Sequence, residues 1–241
     1  MPRFLALPFS AVLGAGLSLS CGAREAPPDT VDWEVRRDLM VAGQIEARGV
    51  RDPRVLAALR EVPRHRFVPE SLLEQAYEDR PLPIGEGQTI SQPYIVALMT
   101  ELARPAPEDR ALEVGTGSGY QAAVLSRLVR EVYTVEILEP LGREAAERLR
   151  SLGYKNVTGR VGDGYGGWPE ESPFDLILVT AAPERIPPAL LLQLATGGRL
   201  VVPVGPAGAV QSLQLIEKDQ NGKLHTREVL PVRFVPLVHP P

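Results

Sequence analysis

Between Arg110 and Pro203, short apolar runs with the length of strands alternate with segments of helical periodicity. The runs cover residues 111–114, 132–135, 156–161, 174–180 and 199–203, and the helical segments cover residues 120–129, 139–152 and 187–194. Strands that are apolar along their whole length are buried on both faces, as in a parallel sheet covered by helices. The alternation therefore predicts an α/β fold with a mostly parallel sheet.

The last part of the chain has a different pattern. Residues 210–217 and 224–232 flank the dipeptide Asn221-Gly222, which is typical of a tight turn between antiparallel strands. Added to the five preceding runs, this C-terminal hairpin predicts a sheet of seven strands. The order of the last two strands is left open by the sequence.

The chain ahead of the sheet predicts helices and one long loop. Residues 31–50, 53–62 and 93–102 have helical spacing, and Asp52-Pro53 is a favourable helix start. Residues 64–92 are rich in turns and have little periodicity. A loop of this length inside a compact domain is usually functional, so we expect it to contribute to a site.

Residues 1–30 differ in composition from the rest of the chain. Residues 4–19 carry no charged side chain, and this run is short for a membrane-spanning helix and typical of the apolar region of a signal peptide. The segment Leu17-Ser-Leu-Ser-Cys21 resembles a lipobox imperfectly, and Cys21 would be the lipidated residue. The alternative is a start codon assigned too far upstream, with translation beginning near Val31 or Met40.

The domain organisation follows from these boundaries. We expect residues 1–30 to be a leader and tether outside the fold, and residues 31–241 to form a single domain. Within that domain, residues 31–108 hold the N-terminal helices and the long loop, and residues 109–241 hold the sheet. A membrane is expected as a partner only if the leader is a true export signal.

Charge and composition exclude several classes of partner. The chain has a formal net charge of −4 and no run of Lys or Arg that would mark a nucleic-acid groove, so nucleic acid is not expected as a partner. One cysteine and three histidines predict neither an internal disulfide nor a metal site. The short cluster Arg64-His65-Arg66 is expected to be solvated, with its arginines attracting acidic substrates.

A glycine-rich turn lies between the first strand of the sheet and the helix that follows. Its sequence is Glu113-Val-Gly-Thr-Gly-Ser-Gly119. Glycine permits a sharp turn and a close ligand approach, and ligands of open α/β sheets bind at the carboxyl ends of the strands. We expect a cofactor to bind Glu113, Gly115, Thr116, Gly117, Ser118 and Gly119. The spacing differs from the dinucleotide fingerprint G-x-G-x-x-G, although Ala122 at the third small position keeps that alternative open.

Two further polar positions follow the next two strands. Glu136 ends the second strand, where an acid can accept hydrogen bonds from both ribose hydroxyls of a nicotinamide or an S-adenosylmethionine cofactor. Asp163 and Gly164 follow the third strand. The carboxylate of Asp163 can accept a hydrogen bond from an adenine amino group, and Gly164 lets the ring lie close. Three such motifs in order, each after a strand, predict an adenosine-type ligand.

Five segments of the chain resemble the protein-L-isoaspartate O-methyltransferase family, and the resemblance runs from about Val35 to Val238. The segments are Pro63–Pro69, Leu82–Pro93, Glu113–Gln121, Thr180–Pro183 and Arg233–Leu237. The block Gly-Glu-Gly-Gln-Thr-Ile-Ser-Gln-Pro within the second segment is more specific than the glycine motif. The resemblance implies a Rossmann-like class I methyltransferase fold with S-adenosylmethionine as methyl donor. It also implies methylation of the α-carboxylate of L-isoaspartyl residues in damaged proteins.

The resemblance also implies roles for individual residues. Ser91 is the implied active-site residue, although its hydroxyl would alternatively cap the helix that begins at Pro93. Thr89 and Ile90 are expected to shape the same wall. Ala181 and Ala182 follow the fourth strand and would leave room for a peptide substrate.

Two other functions stay open on the sequence. One is an S-adenosylmethionine-dependent methyltransferase with another acceptor, and the other is a non-catalytic adenosine-ligand binder anchored to the envelope. We expect a monomer in the cytoplasm, where S-adenosylmethionine is made. A true leader would instead predict export or anchoring through Cys21.

Overall fold

The computed structural model describes residues 1–2 and 32–239. Backbone contacts divide the chain into Met1–Val31 and Asp32–Pro241. The apolar run predicted as a leader, together with Cys21, lies outside the described residues. In the part of the chain that the structure describes, no helix has the length and apolarity needed to cross a membrane.

The N-terminal helix changes its hydrogen-bond pattern along its length. Helix α1 (Trp33–Met40) begins after Asp32, whose side chain accepts hydrogen bonds from two backbone amides of the first turn at 3.1 Å. The path continues as a π-helical turn (Val41–Ile45) and a 3₁₀ turn (Glu46–Arg48). It stops at Gly49, whose φ of 99° lies in the left-handed region. The helix predicted over residues 31–50 is therefore confirmed from Trp33 to Arg48, but this path is not one regular α-helix.

Helix α2 is followed by a long turn-rich loop that contains short secondary structure. Helix α2 (Pro53–Glu61) is capped by the Asp52 side chain, as predicted. The turn-rich region is not structureless, since it contains two 3₁₀ turns and a small antiparallel hairpin. These elements are Arg64–Phe67, Glu70–Gln75, β1 (Leu82–Gly85) and β2 (Gln88–Ile90). The sequence missed the hairpin because strands this short have no readable periodicity. Helix α3 (Pro93–Ala103) follows directly.

The expectation of a solvated basic cluster at residues 64–66 is wrong for its first two members. Arg64 is fully buried, and its Nε donates a hydrogen bond of 2.8 Å to the carbonyl of Ala76. Burial lowers the pKa of Arg64 to about 10. His65 stacks on Trp33 with 4.7 Å between ring centres and hydrogen-bonds the Tyr77 hydroxyl at 2.8 Å. These side chains join the N-terminal helix to the loop instead of facing a substrate.

The central sheet has the seven strands predicted from the sequence. They are β3 (Arg110–Val114), β4 (Glu131–Glu136), β5 (Val157–Val161), β6 (Phe174–Val179), β7 (Leu194–Val204), β8 (Gln211–Lys218) and β9 (Leu224–Val232). Their order is β5-β4-β3-β6-β7-β8-β9. The first five of this order are parallel, and β8 is antiparallel to both of its neighbours. The predicted fold class is confirmed, and the order of the last strands is now decided.

Helices cover both faces of this sheet. The helices of this half are α4 (Tyr120–Leu125), α5 (Glu139–Ser151) and α6 (Pro188–Gln193). Successive residues of β6 point to opposite faces of the sheet and enter two separate cores. Leu176 packs on the side of α3, α4 and α5, whereas Ile177 packs on the side of α6. This double burial explains why the strands are apolar along their whole length. Because β3, β4, β5 and β6 are parallel, the loops that follow them all lie at the same end of the sheet.

Candidate active site

The glycine-rich turn connects β3 to α4 with backbone angles that favour glycine. Gly115, Gly117 and Gly119 have φ values of 98°, 51° and 89°. A side chain at any of the three would place an L-residue in the left-handed region at an energetic cost. Gly119 has a second constraint, because a Cβ there would lie 3.2 Å from Leu149 of α5. Gly119 thus serves the packing of α4 against α5, while Gly115 and Gly117 line a cavity.

Thr180, at the end of β6, packs directly against this turn. Its hydroxyl donates a hydrogen bond of 2.6 Å to the carbonyl of Gly115. A Cβ on Gly115 would lie 2.4 Å from the hydroxyl oxygen of Thr180. The ends of β3 and β6 therefore meet here with no room for any side chain at position 115.

A cavity of about 140 Å³, called the cofactor cavity below, opens beside the turn. Its polar wall is Glu136, whose carboxylate accepts hydrogen bonds from the amides of Gly117 at 2.8 Å and Leu138 at 3.0 Å. Another wall is Gly164, where a Cβ would lie 2.5 Å from Val114 Cγ1 and 3.4 Å from Leu237 Cδ1. This gives a fixed carboxylate on one side and an apolar wall of Val114, Gly164 and Leu237 on the other.

Asp163 precedes Gly164 of the cofactor cavity, and one of its carboxylate oxygens is hydrogen-bonded within its own turn. Its Oδ1 accepts a hydrogen bond of 2.9 Å from the amide of Tyr165. Its Oδ2 lies 3.3 Å from Nδ1 of His239, whose ring stacks on Tyr165 at 3.9 Å. The C-terminal segment therefore reaches the position expected to read an adenine.

Glu113 lies beneath the turn and not in the cofactor cavity. Its side chain is fully buried, and its Oε2 accepts a hydrogen bond of 2.5 Å from the Thr134 hydroxyl. Its Oε1 has no hydrogen-bond partner among the described residues. Burial, with a smaller contribution from the charge of Glu136, raises the pKa of Glu113 to about 8. Together with Thr116 and Ser118, it lines a small cavity of about 30 Å³.

A larger cavity of about 500 Å³, called the acceptor cavity below, lies on the other side of β2 and the end of β6. Ser91 lines it, and within the described residues no side chain caps the first turn of α3. The alternative reading of Ser91 as a helix cap is therefore not supported by the geometry. Thr89 and Thr180 line both the acceptor cavity and the cofactor cavity. Val235 also lines both cavities, so the two cavities meet at a wall of two threonines and one valine.

The acceptor cavity contains charged and aromatic residues that sequence reasoning missed. Arg48 lines it, forms an ion pair of 2.6 Å with Asp79, and places its guanidinium 3.5 Å from the ring centre of Tyr94. Arg233 lines the same cavity and has no ion pair among the described residues. The signal for Arg48 was weak, since it lies in a helix more than 40 residues before Ser91. Only the fold brings these residues together.

The remaining predicted acceptor residues occupy other positions. Ile90 lines the small cavity beside Glu113, and Ala181 lines the cofactor cavity. The amide of Ala182 donates to Val235 at 2.8 Å, and its carbonyl accepts from Leu237 at 2.9 Å. The backbone of Ala182 is thus paired with the chain's own C-terminal segment.

A family model for protein-L-isoaspartate(D-aspartate) O-methyltransferase matches residues 36–240. The chain belongs to this family. A protein-L-isoaspartate O-methyltransferase of Polaromonas sp. is 62% identical over 186 residues, which cover 77% of this chain and 88% of the relative. One from Cupriavidus necator is 54% identical over 234 residues, which cover 94% of this chain and 90% of the relative.

Solved structures of protein-L-isoaspartate O-methyltransferases also match the fold. One has a TM-score of 0.76 and 33% identity, and the match covers 83% of this chain and 65% of that chain, just under two thirds of its length. Another, from Plasmodium falciparum and in complex with S-adenosyl-L-homocysteine, has a TM-score of 0.73 and 26% identity, with coverage of 84% and 98%. S-adenosylmethionine is accordingly the cofactor of this methyltransferase.

The residues present fit this cofactor on two structural observations. The wall at Gly164 is apolar, because Val114 and Leu237 pack against Gly164 and line the same cavity, and an apolar wall suits the face of an adenine ring. The unpartnered Oε1 of buried Glu113 faces the small cavity under the turn, where a polar group of a ligand or a water is required to satisfy it. The residues around these two cavities therefore match a ligand that has an apolar ring at one end and polar groups at the other.

Proposed function

We propose that this chain transfers a methyl group from S-adenosylmethionine to the α-carboxylate of L-isoaspartyl residues in damaged proteins. The observation that carries the proposal is the wall of Thr89, Thr180 and Val235 between the cofactor and acceptor cavities. Donor and acceptor bound on either side of this wall are adjacent, and Ser91 lies on the acceptor side. The family match and the high identity of the named relatives support the same activity.

The cofactor would be held by residues at the carboxyl ends of three strands. Glu136 would accept hydrogen bonds from the ribose hydroxyls. Gly164 would lie against the adenine ring, and the carboxylate of Asp163 would accept a hydrogen bond from the adenine amino group. Gly115 and Gly117 would let the ligand approach the backbone closely. The cofactor, when bound, supplies an electrophilic methyl group on a sulfonium. Thr116, Ser118 and Glu113 would surround its polar end through the small cavity.

The acceptor side needs positioning more than proton transfer. An α-carboxyl group has a pKa of about 3.5 and is already ionised at neutral pH, so no strong general base is required. We propose that the Ser91 hydroxyl donates a hydrogen bond to this carboxylate and fixes its orientation. Holding donor and acceptor together in line can lower a barrier by about 7–11 kcal/mol, and the Ser91 hydrogen bond would supply only a part of this effect. Thr89 would shape the wall, whereas Ala182, whose backbone is bonded to the C-terminal segment, would not contact the substrate.

The electrostatics of the acceptor cavity favour an anionic acceptor. Asp79 neutralises Arg48 and holds it against Tyr94, while the charge of Arg233 is not compensated by a described acid. A carboxylate entering the cavity therefore meets a net positive wall. Arg48 and Arg233 are our additions to the residues predicted to bind the substrate.

The deciding experiment uses the full chain, labelled S-adenosylmethionine and two peptides that differ only in an isoaspartyl or an aspartyl residue. We expect base-labile label in the isoaspartyl peptide alone. Label on both isomers, or label on nitrogen, would point to another acceptor and refute the proposal. Cofactor binding without transfer to either peptide would favour the non-catalytic binder.

We also propose that the enzyme works in the cytoplasm, because its cofactor is made there. We propose separately that it works as a monomer. Fractionation of cells that express the full chain tests this location. The mass of the detergent-extracted N-terminus tests the alternative, since a chain beginning at diacylated Cys21 would establish export and anchoring.

A further inference from the structure

A second groove, as large as the acceptor cavity, lies between α5 and strand β5. Its volume is about 520 Å³, and the described residues that line it include none of those that line the acceptor cavity. We call it the β5 groove. Its helix side consists of Gly142, Arg143, Ala146, Leu149 and Arg150, and its sheet side consists of Lys155 and residues 157–161. Thr116, Thr134 and Tyr154 complete the lining, and of all these residues the proposed methyl transfer uses only Thr116.

The sheet side of the β5 groove is an open strand edge. Strand β5 is the last strand of the sheet order, and it pairs only with β4 among the described strands. The amide of Val132 donates to Asn156 at 2.9 Å, and the amide of Gly162 donates to Glu136 at 2.8 Å. Because every second residue of a strand bonds to a given neighbour, the odd-numbered residues 157, 159 and 161 direct their amides and carbonyls away from β4. These groups are free to pair with an added strand.

The groove is cationic, and its walls are partly apolar. Arg143, Arg150 and Lys155 are exposed along it, and no Asp or Glu is among the described lining residues. Arg143 is paired with Glu139, but Arg150 and Lys155 form no ion pair within residues 32–239. Val161, 48% exposed, adds an uncovered apolar side chain at one end.

Glycines line both the helix side and the strand side of the groove. Gly142 on α5 faces Val161, where a Cβ would lie 3.1 Å from the Val161 side chain. Gly159 has no side chain at the middle of the strand, so the backbone there is accessible from the helix side. An extended chain can therefore lie along β5 while its side chains reach the basic residues of α5.

We propose that the β5 groove binds an extended acidic segment of the polypeptide being repaired, as a strand added to β5. Backbone hydrogen bonds would provide affinity, and Asp or Glu side chains would meet Arg150 and Lys155. A polypeptide is favoured over nucleic acid because an open strand edge matches a peptide backbone, and the chain as a whole has a net charge of −4. The identity of this partner rests on the proposed repair function.

The test compares the double variant Arg150→Glu/Lys155→Glu with a matched reversal, Lys223→Glu/Arg227→Glu, at the opposite edge strand β9. The substrates are a five-residue isoaspartyl peptide, the same peptide extended by an acidic unstructured tail, and the same extended by a neutral tail. The first double variant is expected to raise KM about three- to tenfold for the acidic-tailed substrate only. The matched reversal is expected to leave that KM unchanged.

A binding measurement separates this inference from the proposed function. Fluorescence anisotropy of a labelled acidic peptide without isoaspartate reports the β5 groove even if no peptide is methylated. Binding should weaken in the first double variant and after N-methylation of alternate peptide amides, which removes strand pairing but keeps the charge. Equal KM changes for all three substrates, or unchanged anisotropy in the first double variant, would overturn the proposal. Tighter binding of single-stranded RNA than of the peptide at this groove would also overturn it.

Discussion

The amide of Gly117 donates a hydrogen bond of 2.8 Å to the carboxylate of Glu136. This bond joins the glycine turn after β3 to the last residue of β4, and the amide of Leu138 holds the other oxygen at 3.0 Å. Each oxygen retains acceptor capacity toward the cofactor cavity. The same side chain therefore orders the turn and presents a fixed anion to a ligand.

Replacement of this carboxylate should weaken cofactor binding strongly. Glu136→Ala removes a charged acceptor, and hydrogen bonds to charged groups contribute about 1.5–3 kcal/mol each. We expect the Kd for S-adenosylhomocysteine, measured by titration calorimetry, to rise at least about tenfold. Glu131→Ala on the same strand is the control, because Glu131 pairs with Arg110 outside the cavity. Equal losses in both variants would contradict a ligand role for Glu136.

The close approach of the glycine turn to Thr180 predicts that Gly115 tolerates no side chain. Gly115→Ala places a Cβ 2.4 Å from Thr180 Oγ1 at a φ of 98°, so strain and overpacking combine. We expect a loss of about 2–4 kcal/mol in the free energy of unfolding, measured by urea denaturation. Gly153→Ala is the control for backbone strain alone, since φ there is 82° and a Cβ would meet no described atom within 4 Å. Its expected cost is about 1 kcal/mol, and an equal cost at both positions would exclude the steric explanation.

Loss of the Ser91 hydroxyl should affect turnover and leave cofactor binding intact. Ser91 lines the acceptor cavity, so Ser91→Ala removes the proposed hydrogen bond to the acceptor carboxylate. We expect kcat to fall by about ten- to hundredfold, with the Kd for S-adenosylhomocysteine unchanged. Ser151→Ala, at the end of α5, serves as the control and should retain full activity. Parallel losses of turnover and cofactor affinity would argue for a structural role of Ser91.

The buried carboxyl of Glu113 predicts an unusual pH dependence of stability. Its pKa in the folded protein is raised to about 8 from the ordinary glutamate value of 4.5, chiefly by burial. Between these two values the folded state binds more protons than the unfolded state, so stability falls as pH rises from about 4.5 to about 8. The slope from this group is at most about 1.4 kcal/mol per pH unit.

Urea denaturation from pH 5 to pH 8 tests this dependence. Glu113→Gln removes the titrating group and keeps a hydrogen-bond acceptor for Thr134. We therefore expect the variant to lose less stability than the parent chain between pH 5 and pH 8. If the two proteins have the same pH profile, Glu113 does not titrate in this range.

The elements that sequence reasoning predicted well are those whose own residues carry the signal. The capping by Asp52, the hairpin turn at Asn221-Gly222 and the doubly buried β6 are local patterns, and the structure confirms each. The hairpin of β1 and β2 and the burial of Arg64 were missed. Strands as short as β1 and β2 and a lone arginine have no periodicity to interpret, although the two strands pair with each other and Arg64 bonds to Ala76 only 12 residues away.

The sequence by itself determined the strand–helix alternation, the glycine turn and the acid at the end of β4, since periodicity and turn chemistry are properties of adjacent residues. Only the tertiary structure decided which residues share a cavity. It brought Arg48 and Arg233 to Ser91, used Ala182 to hold the C-terminal segment, and buried Glu113 beneath the turn instead of in the cofactor cavity. Those outcomes depend on how helices and strands pack across the sheet, and packing joins residues that no local pattern relates.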